Sequence, residues 1–134
     1  MHINRNQLLY ILYIKEMNEC DLEVAKQKYN LLDDKEVINK EEDVILQDMV
    51  NKQADIDKTI ERNLENYSLG RLNKVDLQII RIACYELEYT TLASAVIINE
   101  AVNLSKDYTD IEGFRSAKFN NKLLDTIAKD VRAK

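Results

Sequence analysis

The chain has 134 residues, 46% of them apolar and 32% charged, with a net charge of −5, two cysteines, two glycines and no proline. That length suits one domain with a real core, and the composition excludes a disordered polymer. The lack of any apolar run near 18 residues argues against a membrane span. "MHINRNQLLYILYIKEMNE" has no signal-peptide layout, since Lys15 and Glu16 interrupt its apolar positions, so the cytoplasm is the expected compartment. Cys20 and Cys84 have no second Cys or His at ligand spacing, which points to two structural thiols in a reducing compartment and to no metal site.

In chain order the apolar spacing predicts helices throughout, and no stretch alternates long enough for a strand. A first helix over about 4–18 turns Leu8, Leu9, Leu12 and Tyr13 inward. A second over about 21–30 starts from Asp21 as N-cap, with Leu22, Val24, Ala25 and Tyr29 available for packing. From about 41 to 67 the rows Ile45, Met49 and Ile56, Ile60, Leu64 run at spacings of four. Residues Asn51 to Asp55 interrupt that face, which leaves one long helix and two helices meeting at a bend both open. Gly70 and Gly113 fall in polar links. Next come a helix near 74–88 burying Val75, Ile79, Ile82, Ala83 and Leu87, and one near 93–107 burying Val96, Ile97, Ala101 and Leu104. A last helix near 116–131 has Ser116 as N-cap and Phe119, Leu123, Leu124, Ile127 and Ala128 inside. The expected fold class is all-α.

Charge is uneven along this framework. Residues 33–48 carry seven acids against two lysines, whereas 115–134 carry six bases (Arg115, Lys118, Lys122, Lys129, Arg132, Lys134) against Asp125 and Asp130. An acidic chain can still bind a polyanion through a local basic face, because distant charges are screened beyond roughly 8 Å at physiological salt. The bland alternative is that these lysines only solvate a terminal helix. No nucleophile with its base, metal-ligand cluster or phosphate loop accompanies them. His2 and the Asn99–Glu100 pair lack partners for acid–base work, so catalysis and cofactors are not expected.

Three ordered stretches, "VDLQIIRIACYEL", "VIINEAVNLSKDY" and "AKFNNKLLDTIAK", resemble the C-terminal half of the NusB transcription antitermination family, with patterns near D-x-x-I-L-R-L-A-x-Y-E-L, V-x-I-N-E-A-V-E-L-A-K-x-Y and K-F-V-N-G-V-L-D. "LLYILY" is similar to that family's A-L-Y stretch. The resemblance implies one NusB-like domain over 1–134, built as two three-helix bundles sharing a core, with halves of about 1–70 and 71–134. It implies binding rather than catalysis: boxA-like single-stranded RNA of ribosomal transcripts, the ribosomal protein NusE and the RNA polymerase antitermination complex, with no membrane or DNA partner. Carried over by position, Tyr13 and Asp76 would meet NusE, and Arg5, Arg115, Lys118, Phe119 and Asn120 would meet RNA. Asp76 also suits the first turn of a helix, where the dipole favours a carboxylate, and Phe119 at helical spacing from Leu123 also suits the core. Two departures stand out. Only Arg5 is certainly cationic where the family has several N-terminal arginines, and Lys122 stands where the pattern has glycine. The first departure motivates a rival reading, a NusB-fold interaction domain that binds the ribosomal protein with little affinity for RNA.

Overall fold

The structure is a computed structural model that describes residues 3–32, 36–65, 68–109 and 115–132; His2, Gly113 and part of the acidic stretch fall outside them. It contains α1 (Arg5–Asn18), α2 (Leu22–Asn30), α3 (Lys40–Asn51), α4 (Gln53–Arg62), a 3₁₀ turn (Leu69–Arg71), α5 (Lys74–Tyr89), α6 (Ser94–Tyr108) and α7 (Arg115–Arg132), with no strand among the described residues. The all-α expectation holds. The chain divides into two compact units, Met1–Gln53 and Ala54–Lys134.

In the first unit, helix starts are fixed by side chains that satisfy the otherwise unpaired N–H groups of a first turn. Asn4 Oδ1 accepts from Asn6 N–H at 3.0 Å, and Asp21 Oδ1 accepts from Val24 N–H at 2.9 Å, the N-cap expected for α2. At α3 a capping box joins Asn39 and Glu42. Glu42 does more than close its own box: its other oxygen accepts the backbone N–H of Asn4, so one buried carboxylate ties together the starts of α1 and α3. α1 stops at Glu19, which takes the left-handed conformation at φ 49° and lets Cys20 N–H bond back to the Lys15 carbonyl. Leu8, Leu9, Leu12, Leu22, Ala25 and Tyr29 are buried as expected. Tyr13 is only half-buried, because Ile11 and Gln7 complete the inward stripe of α1. On α3 Met49 is buried as expected, but the residue that joins it inside is Leu46, one position after the expected Ile45, which is half-buried.

The helical region beyond Lys40 resolves as two helices. Lys52 leaves the helical conformation (φ −102°, ψ 5°), so the break falls inside the polar interruption. In the second unit α5 is buried almost all round from Asp76 to Leu87, and α6 and α7 pack against it and against each other. Two expected core positions turn outward: Val96 is 48% exposed and Phe119 39%, while Ile97, Leu123, Leu124 and Ile127 hold the inner rows. Like the acidic Asp76 and Glu86, Arg81 is buried on α5. Its Nε and a terminal nitrogen donate to both oxygens of Asp57 at 2.8 and 2.9 Å, a bidentate pair that leaves little of the guanidinium unsatisfied. Burial pushes the Cys84 thiol up to about 12, so it stays protonated and inert at neutral pH.

Candidate nucleic-acid interface

α7 begins one residue earlier than its spacing suggested, so Ser116 lies within the first turn and is not the N-cap. At 100° per residue, Arg115, Lys118, Lys122 and Lys129 fall within a sector of about 60°, opposite the buried row of Ala117, Asn120, Leu123, Leu124 and Ile127. All four cations are exposed, and none makes an ion pair among the described residues. The Phe119 ring emerges at the edge of this stripe. It lines a depression of about 350 Å³ together with Arg71, Asn73, Asp76 and Arg115. On the other side it lines a second depression of about 210 Å³. Cations beside an accessible aromatic ring are the groups that single-stranded nucleic acid requires, the first for phosphates and the second for an unstacked base.

Asn120 corrects the sequence reading. Its side chain is fully buried, because position 120 belongs to the inner row of α7. There Nδ2 donates to Asp76 Oδ1 at 3.0 Å and to Ser105 Oγ at 2.8 Å, and Ser105 Oγ–H donates in turn to the Ala101 carbonyl at 3.0 Å. Asp76 can only accept, which orients the amide and leaves Asn120 Oδ1 without a partner. Asn120 therefore locks the starts of α5 and α7 to α6 and presents nothing to a ligand. Asp76 is 8% exposed and takes part in this lock. It lies in the first turn of α5, where its backbone N–H bonds to the Asn73 cap, and it borders the depression. Arg5 opens α1, and Tyr13 lies half-buried on the same helix, both in the first unit.

Arg132 is the residue that charge counting misplaced. Its five N–H donors meet the carbonyls of Leu87, Leu92, Glu86 and Thr90 and the hydroxyl of Ser94, at 2.6 to 3.2 Å. A cation placed on the last carbonyls of α5 satisfies orphan acceptors and complements the helix dipole. Asp130 is likewise committed, to Arg62 Nε at 2.7 Å and Asn63 Nδ2 at 2.8 Å. Nothing local in the sequence marks these partners, which lie some 40 to 70 positions away. Among the described residues there is no cluster of His, Cys, Asp or Glu able to hold a metal.

The NusB family profile matches residues 2–129. The chain belongs to the NusB family. It is 34% identical to the transcription antitermination protein NusB of Listeria innocua over 127 residues, covering 94% of both chains. It is also 34% identical to the NusB of Nitratiruptor over 135 residues, covering 98% of this chain and 93% of that one. The solved structure of T. maritima NusB superposes with a TM-score of 0.79 at 30% identity, covering 97% of this chain and 94% of that one. A chain in the crystal structure of a plectonemic RNA supercoil shares the fold at a TM-score of 0.75 and 22% identity. The Listeria innocua and Nitratiruptor relatives are both transcription antitermination proteins. No helix among the described residues is long and apolar enough to cross a membrane.

Proposed function

We propose that this chain is a cytoplasmic antitermination factor that binds boxA-like RNA of ribosomal transcripts together with the ribosomal protein NusE, within the RNA polymerase antitermination complex. The observation that carries the reading is the outer face of α7, where Arg115 and Lys118 stand exposed beside the Phe119 ring. Arg115 and Lys118 take phosphates, Phe119 takes the face of a base, and Arg5 contributes a cation from the first turn of α1. Tyr13 and Asp76 serve the NusE contact, where an acidic group is suited to a basic ribosomal protein. Asn120 supports both functions from inside by fixing Asp76 and the first turns of α7.

Calorimetric titration with NusE, with a boxA-containing RNA and with both tests this directly. Three cationic contacts predict that log Kobs for the RNA falls against log salt with a slope of about −2, and NusE is expected to tighten RNA binding. Replacing Lys118 and Phe119 together by Ala should weaken RNA binding with helix content intact, since stacking one base is worth about 1–3 kcal/mol. Unchanged affinity overturns the RNA assignment. The commitment of Arg132 to α5 leaves the C-terminal segment with one cation fewer for a ligand than its formal count, which favours the second reading, a NusE-binding domain with little RNA affinity. Binding of NusE alone at low salt selects that reading, and binding of neither rejects both.

A further inference from the structure

Phe119 forms a wall shared by two depressions, and only the one beside Arg115 belongs to the surface described so far. The other, of about 210 Å³, has Leu64, Leu123 and Phe119 as apolar lining, with Asn63, Glu65 and Lys122 among its polar groups. Its far wall is held in place: Asn63 Nδ2 donates to the Thr59 carbonyl and to Asp130 Oδ2, both at 2.8 Å, and Arg62 grips the same Asp130 oxygen. The wall therefore needs little ordering on binding, which lowers the cost of filling it. A depression of about 210 Å³ with an aromatic ring and aliphatic side chains in its lining, and Lys122 among its polar groups, suits a flat base tethered to a phosphate. Glu65 can accept from a base N–H. Lys122, which stands where the family pattern has glycine, is exposed.

We propose that this depression is a second nucleotide subsite: an unstacked base of single-stranded RNA inserts between Phe119 and Leu64 while Lys122 holds the adjoining phosphate. The strand then crosses Phe119 with one base on each side of the ring. Arg115 and Lys122 lie seven residues apart on α7, about 10 Å along the axis, a distance that a few nucleotides span. The subsite replaces cations that the N-terminal segment lacks. The proposal rests on the RNA reading above.

The test is fluorescence anisotropy of the full chain with a labelled boxA-containing RNA over a salt series, comparing wild type, Lys122→Gln, Thr126→Glu and Lys118→Gln. Lys122→Gln should lower the salt slope by about 0.7 and weaken binding about three- to fivefold at physiological salt. Thr126→Glu, which sets a carboxylate in the lining of the depression, should weaken it at least as much. Far-ultraviolet circular dichroism is expected to stay unchanged for both exposed substitutions. If Lys118→Gln weakens binding while Lys122→Gln and Thr126→Glu leave it as in wild type, the second subsite is wrong and the RNA reading stands. If the wild type binds no RNA at low salt, both fall.

Discussion

At the start of α7, Arg115, Lys118 and Lys122 stand in solvent without ion pairs among the described residues, whereas at its end Arg132 commits its donors to the end of α5, the link after it and Ser94 at the start of α6, and Asp130 bridges to Arg62 and Asn63. The same helix carries both ends, and a count of bases over its length treats them alike. Their environments separate them. The first half offers charge to a ligand, and in the second Arg132 and Asp130 use charge to close the fold while Lys129 stays exposed. Formal charge in a segment is thus an upper limit on the charge a partner can meet.

The sharpest way to break this comparison is Arg132→Ala. It leaves the Leu87 and Leu92 carbonyls short of a donor and removes a cation from the α5 terminus, so urea unfolding should show a loss of about 2 kcal/mol, with the RNA salt slope unchanged. A fall in RNA affinity with no loss of stability would place Arg132 among the ligand-facing cations instead. Asn120→Val comes next. It puts the apolar residue of the family pattern at position 120 and strips Asp76 of its buried donor. The expected cost is about 1–2 kcal/mol in the unfolding midpoint series. RNA binding weakens only as far as the first turns of α7 loosen.

The smallest effect concerns pH. The hydrogen bond from Arg62, and after it that from Asn63, holds the Asp130 carboxyl below the usual aspartate range. A carboxyl lowered on folding contributes stability that is fully present above its unfolded value, about 3.9, and is lost as pH falls through the lower folded value. Asp130→Asn should therefore flatten the acid side of the stability profile below about pH 4, and only slightly, because the pair is solvent-exposed. Thermal unfolding across that range gives the answer, and an unchanged profile would mean that the bridge contributes nothing.

The helical framework was legible because its signals are local. The Asp21 cap follows from a polar residue just before an apolar stretch, and the inner row of α7 from spacings of three and four, whereas the polar interruption at Asn51 to Asp55 left one helix or two open. The exposure of Phe119 and Val96 was not, since each lies at the margin of an apolar stripe where a small rotation of the helix decides the outcome. Asn120 was misread for a related reason. A polar side chain next to Lys118 and Phe119 looks like a ligand contact until the helix phase puts it inside, opposite Asp76 at 44 positions' separation. Arg81 with Asp57 and Arg132 with α5 were invisible for the same cause, since no periodicity encodes a partner in another helix.

The most direct measurement is one salt series for RNA binding by three proteins: wild type, the Arg115→Gln and Lys118→Gln double variant, and Arg132→Gln. If the two halves of α7 have separate tasks, the double variant loses about 1.4 from the slope of log Kobs against log salt at an unchanged unfolding midpoint, and Arg132→Gln keeps the slope while its midpoint drops. Equal slopes in all three proteins would contradict the account.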